Sequence, residues 1–102
     1  MNKTEYLLMC ASEECGEIIQ AIGKIGRFGG VNFHPKTDIS NNEQLVLEVN
    51  DLLGILELLE ENGVLLGGIG CRGDIDEKKH KVEQWMEYSR DNGILSEWYD
   101  GL

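Results

Sequence analysis

The 102-residue sequence predicts an all-α fold, an antiparallel helical bundle of three to four helices completed by oligomerisation. Apolar residues recur every three or four positions in three separate stretches, the spacing of amphipathic helices, and no stretch sustains the alternation of a strand. Between those stretches lie a proline-bearing segment and a glycine-rich one, which read as connectors. One domain over residues 1–102 is expected, since domains usually run to about 100–150 residues. So small a domain leaves much of its surface wet, and a helical hairpin keeps one apolar side in need of cover, so a homodimer or homotetramer is expected.

The first helix is predicted over residues 2–26. Leu7, Ala11, Ile18, Ala21, Ile22 and Ile25 recur at helical spacing. Asn2 or Thr4 is placed to cap it, Glu5 suits the first turn, and Gly29-Gly30 releases the chain. Residues 28–41 hold the only proline, Pro35, and read as a loop. The second helix is predicted from Asn41 or Asn42 to Asn62, with the Asn pair as cap and Gly63 as stop. Leu45, Leu52, Ile55, Leu56 and Leu59 form its stripe. A glycine-rich connector, 64–73, leads to a third helix from Asp74 or Asp76 to Asn92, with Ile75, Val82, Trp85 and Met86 on one side. The tail from Ile94, with Trp98 and Tyr99, is expected to add a short helix that packs back.

Charge narrows the function. With 19 Asp+Glu against 9 Lys+Arg the formal charge is −10. Sequence-blind binding to nucleic acid comes mostly from Lys and Arg neutralising phosphates, so neither DNA nor RNA is the expected partner. An anionic membrane surface is an equally poor match, and no stretch approaches the roughly 18–20 apolar residues of a membrane span. The run Tyr6 to Ala11 lacks the basic flank of a signal peptide. Cys10, Cys15 and Cys71 are odd in number and lack metal-site spacing, which suits reduced thiols in a cytoplasm. A phosphorylated ligand would need something positive, such as a metal ion, to bridge it to so acidic a protein.

The informative feature is a conflict inside two helices. Each residue advances about 100° around an α-helix. On that geometry Glu14 falls at the centre of the Leu7, Ala11, Ile18, Ala21, Ile25 stripe, with Glu17 at its edge. Glu48 falls at the centre of the second stripe, with Asp51 at its edge. An isolated charge aimed at a core costs more than a small domain's stability, so it must be neutralised or paired. Four carboxylates on facing helices repel one another unless a cation lies between them, and neither stripe carries Lys or Arg at its centre. Oxygen-only ligands favour a hard ion, Mg²⁺ or Mn²⁺. The Glu-x-x-His pairs usual in di-iron bundles are absent from these two helices.

The residues also resemble a known family. Glu13-Glu14-Cys15-Gly16-Glu17 is an E-E-x-x-E run, and Glu48-Val49-Asn50-Asp51 an E-x-x-D run on the next helix. Together and in this order they resemble the all-α nucleoside triphosphate pyrophosphohydrolases, the superfamily of MazG and the dimeric dUTPases. The resemblance covers roughly residues 5–60 and extends more loosely to the third helix. The stretches Lys24 to Gly29 and Lys78 to Ser89 are most similar to small phage-encoded members, which would place the protein in a host cytoplasm. The resemblance implies Mg²⁺-dependent hydrolysis of a (deoxy)nucleoside triphosphate to the monophosphate and pyrophosphate. It implies metal ligation by Glu14, Glu17, Glu48 and Asp51. Glu13 matches the leading Glu, a further ligand or the holder of a water, and Glu13 or Glu17, where free of metal, would accept the water's proton. Family members hold phosphates with basic residues on a later helix. Here Lys78 lies beside the apolar stripe, Lys81 points further out, Lys24 shares the carboxylate edge of the first helix, and Arg27 follows. The family's Asn and Arg pattern on the later helix is not matched.

Other signals carry less. Gly68 to Gly73 spells G-x-G-x-x-G, but a dinucleotide site needs a strand before it and a βαβ unit around it. Asp74-Ile75-Asp76 opens like a calcium loop, then fails with Lys79 at the glycine position. His34 and His80 read as surface residues, and the late aromatics as core or interface. The alternative to an enzyme is a non-catalytic helical oligomer, or a module that binds metal or nucleotide without turnover.

Overall fold

The computed structural model describes residues 1–33 and 36–96. His34, Trp98, Tyr99 and all but the first residues of the expected short terminal helix lie outside them. The described residues form three α-helices, α1 (Lys3–Phe28), α2 (Asn41–Glu61) and α3 (Arg72–Asp91). No strand occurs among them, only an isolated antiparallel bridge between Phe33 and Ser40. The chain divides into two compact units, Met1–Leu66 and the part from Gly67 onward.

The first unit is an antiparallel hairpin of α1 and α2. At its closed end the Asn41 side chain donates to the Gly29 carbonyl at 2.9 Å, and the Asn42 backbone N–H donates to the Gly30 carbonyl at 2.9 Å. Further along, Glu14 of α1 meets Glu48 and Asp51 of α2. Positions on α1 therefore fall as positions on α2 rise. That register follows from the two stripes. Leu7 and Ala21 are buried and Ala11, Ile18 and Ile25 half-buried, while on α2 Leu59 is 1% exposed with Leu45, Leu52, Ile55 and Leu56 half-buried. Ile22, counted with the first stripe, is instead exposed because it stands further round the helix.

The helix ends follow from local chemistry. Asn2 caps α1, its side chain accepting from the Glu5 N–H at 2.8 Å. Beyond the other end Gly29 sits at φ 87°, a left-handed conformation that glycine adopts without steric penalty. The cap of α2 is Ser40 rather than Asn41 or Asn42. Its hydroxyl accepts from the Glu43 N–H at 3.1 Å and lies 3.3 Å from the Glu43 carboxylate. Ser-x-x-Glu is the sequence of a capping box, and here the serine hydroxyl satisfies the Glu43 N–H and leaves Asn41 free to tie α2 to α1. Ser40→Ala is expected to cost about 1 kcal/mol and lower the melting temperature by about 4–8 °C. Asn42→Ala should stay within about 0.5 kcal/mol. Thermal denaturation compares the two, and equal losses would put the cap elsewhere.

In the second unit α3 begins at Arg72, earlier than the expected Asp74 or Asp76, because Arg72 itself starts the surface pairing. Its guanidinium donates to Asp76 at 2.8 Å. No strand precedes the glycine run among the described residues, and the run serves as the connector its composition suggests. At the far end Gly93 has φ 75°, and the Ile94 N–H donates back to the Ser89 carbonyl. The stripe of Ile75, Val82, Trp85 and Met86 is exposed, with Trp85 and Tyr88 meeting edge to face at 5.5 Å. No helix among the described residues is long and apolar enough to cross a membrane.

Candidate metal centre

The centre is assembled by helix periodicity. Because Glu14 and Glu48 occupy stripe centres, packing α1 on α2 draws both into the seam, and each is half-buried there. Asp51, one turn beyond Glu48, remains exposed at the edge of the seam. Glu14, Glu48 and Asp51 each offer a carboxylate oxygen lying within 4.8 Å of the others. Glu17 stands outside this group of three. It turns instead toward a groove alongside, which it lines together with Lys24 and Glu48.

The electrostatics of the cluster are one-sided. The Glu14 carboxyl is held above its ordinary value of 4.5, first by desolvation and then by the negative charges of Asp51, Glu48, Glu17 and Glu13. All the charges that move it are carboxylates. Glu48 is steadied from its own helix by Gln44, whose amide donates to Glu48 Oε1 at 2.6 Å. A carboxylate that accepts a side-chain hydrogen bond is fixed in orientation, as the ligands of metal sites usually are.

The groove beside the cluster has a volume of about 280 Å³. Ala21 and Ile39 give it apolar patches, Gln20, Asn41 and Gln44 supply amides, and Lys24 is a cation on its wall. Lys24 is half-buried there. Arg27, one turn beyond, shares a shallower hollow with Lys24 and lays its guanidinium over the Phe28 ring at 4.7 Å. Glu13 is exposed on the same helix. Lys78 and Lys81 belong to α3, where both are exposed and the Lys81 amine lies 3.6 Å from Glu77.

No family model, curated protein or solved structure matches this chain. The donor set itself fits a hard divalent cation. It consists of carboxylate oxygens, with no sulfur or imidazole in the group, and two of its members come from one helix with a third from the other. Gln44 was not singled out from the sequence, and Asn41 only as a helix cap, although Gln44 carries a signal. It stands one turn before Glu48, on the same edge as Asp51.

Proposed function

We propose that this protein hydrolyses a (deoxy)nucleoside triphosphate, with Mg²⁺ or Mn²⁺, to the nucleoside monophosphate and pyrophosphate. The observation that carries this reading is the convergence of Glu14, Glu48 and Asp51 beside a groove that holds both a carboxylate, Glu17, and a cation, Lys24. The resemblance of Glu13 to Glu17 and Glu48 to Asp51 to the motifs of the all-α pyrophosphohydrolases supports the same reading. A binding protein without turnover would share the cluster, so product formation separates the two.

Glu14, Glu48 and Asp51 would hold the metal, with Glu17 able to join them or to act on its own. A bound divalent ion supplies charge neutralisation at the phosphates and a more acidic water. The reaction adds water at the α-phosphorus and breaks its bond to the oxygen that bridges to the β-phosphorus, which departs with pyrophosphate. Glu17 or Glu13 accepts the proton of that water. Lys24, partly removed from solvent, neutralises charge that accumulates on the departing pyrophosphate, and Arg27 extends that positive edge. The amide-lined part of the groove is of a size and polarity to take up uncharged portions of the substrate. A cytoplasm is the proposed setting, because it supplies both nucleotide and free magnesium.

The direct test is a panel of nucleoside and deoxynucleoside triphosphates with Mg²⁺, scored separately for pyrophosphate and inorganic phosphate. Pyrophosphate in step with monophosphate is expected for at least one of them. Inorganic phosphate alone, or metal binding with no product from any triphosphate, would sink the reading.

A further inference from the structure

The groove beside the carboxylate cluster has two chemically different walls. Glu17 and Lys24 line it from α1, and Asn41, Gln44 and Glu48 line it from α2. Both amides on the α2 wall are held in one orientation. Asn41 Nδ2 donates to the Gly29 carbonyl at 2.9 Å, and Gln44 Nε2 donates to Glu48 Oε1 at 2.6 Å. A backbone carbonyl and a carboxylate accept only, so neither amide can turn over without setting oxygen against oxygen. The opposite end of each amide is therefore its oxygen, Asn41 Oδ1 and Gln44 Oε1, and no donor among the described residues engages either.

This wall accepts more hydrogen bonds than it donates. Each nitrogen keeps one further hydrogen, but each oxygen keeps both lone pairs. The Ser40 hydroxyl does not offset the imbalance, because Glu43 engages it both as donor and as acceptor. Asn41 is buried and Gln44 half-buried, so leaving either oxygen against a group of the wrong polarity is costly. Asn41 and Gln44 also stand three residues apart on α2, neighbours on one helix face with Cβ atoms about 5–6 Å apart. That spacing lets both oxygens bear on one small group. An amino group on an aromatic ring carries two N–H donors, one for each oxygen. A ring carbonyl in its place would set a third oxygen beside them. Ala21 and Ile39 supply the apolar patches against which a ring rests.

We infer that Asn41 and Gln44 select the base of the substrate, taking one with an exocyclic amino group, cytosine or adenine, and rejecting a carbonyl in the same place. The inference rests on the pyrophosphohydrolase reading, in which the phosphates lie along Lys24 on the opposite wall. It adds the chemical class of the base to that reading. Gln44 then serves two partners at once. Its nitrogen holds Glu48 and its oxygen holds the base, so the matching base and a correctly turned metal ligand support each other.

Two matched pairs test it on the wild-type chain, dCMP against dUMP and dAMP against dIMP, each titrated calorimetrically with Mg²⁺. Within a pair only the amino group is exchanged for a carbonyl. In at least one pair the amino member is expected to bind about tenfold or more tightly. Equal or reversed affinities in both pairs, or no binding by any of the four, overturn the inference. Turnover of the corresponding triphosphates separates the two readings. If none is hydrolysed, the pyrophosphohydrolase reading fails and the titrations still decide the base. If dUTP and dITP are hydrolysed as well as dCTP and dATP, that reading stands and the inference falls. Gln44→Leu should bring the affinity ratio within the pair close to one. Loss of the Glu48 hydrogen bond weakens both members alike and leaves the ratio unaltered. Methylating both N–H positions of the cytosine amino group should have the same effect on the unaltered protein, which covers the case of a variant that fails to fold. Full binding of that methylated ligand, or an unchanged ratio in Gln44→Leu, overturns the inference.

Discussion

Glu48→Gln is expected to reduce Mg²⁺-dependent pyrophosphate release by about 10²–10³-fold, the loss that follows when a charge-stabilising group is withdrawn from a reacting centre. The substitution is nearly isosteric. The new amide oxygen can still accept from Gln44, which now donates to Glu48 Oε1 at 2.6 Å. Loss of activity therefore reports the missing charge and not a disturbed helix. Asp51→Asn should behave alike, since its oxygen belongs to the same converging group. The metal-free protein should respond in the opposite direction. Glu48 is one of the charges that hold the Glu14 carboxyl above its usual range, so neutralising it relieves repulsion within the seam. A small rise in melting temperature is expected without metal, from relief of a like-charge contact. Steady-state rates and thermal denaturation with a chelator read the two effects. Unchanged turnover in both variants would remove Glu48 and Asp51 from the chemistry.

Divalent cation is expected to stabilise the protein markedly, and the effect should depend on pH. At a Mg²⁺ concentration ten times its dissociation constant, mass action contributes about 1.4 kcal/mol, or about 5–10 °C in melting temperature for a domain of this size. Without metal the pH dependence has a definite sign. The Glu14 carboxyl binds its proton more tightly in the folded chain than in the unfolded one, where its value is 4.5. Its ionisation therefore opposes folding at neutral pH. Lowering the pH from neutrality toward 4.5 protonates the folded group first and restores stability, and raising it removes that gain. Glu14→Gln should abolish this component. With Mg²⁺ present the trend reverses, because proton and cation compete for the same oxygens, so the metal-induced shift is largest near neutral pH and shrinks on acidification. Calorimetry over that range with Mg²⁺ and with a chelator would show both trends. A helical oligomer that uses these acids only for salt bridges expects no metal effect at all.

How much of the site could be read in advance varies residue by residue. Glu14 and Glu48 were legible because a helix turns by a constant angle, so an acid in register with leucines must enter the seam wherever the partner helix lies. Asp51 followed from the same angle, one turn on. Glu17 shows where periodicity stops. It holds the edge position equivalent to that of Asp51, yet it lines the groove and not the three-oxygen cluster, because helix rotation and side-chain reach across the seam settle which edge acid closes in. The cap of α2 was misplaced by one residue for a related reason. Asn41, Asn42 and Ser40 are all competent caps. The choice fell to Ser40 once Asn41 was engaged by the Gly29 carbonyl, a partner twelve residues away in sequence.

The sequence by itself determined the helical class, the approximate extents of three helices, the inward placement of one glutamate on each of two stripes, and the excess of negative charge. These depend on composition and on a fixed periodicity, which are local properties. Tertiary structure decided that the hairpin is antiparallel in a register that sets Glu14 against Glu48 and Asp51, and that Lys24 shares a groove with Glu17. Each of those depends on contacts between residues far apart in the chain. Local preferences do not encode such contacts, because they form only when two helices bury their stripes against each other.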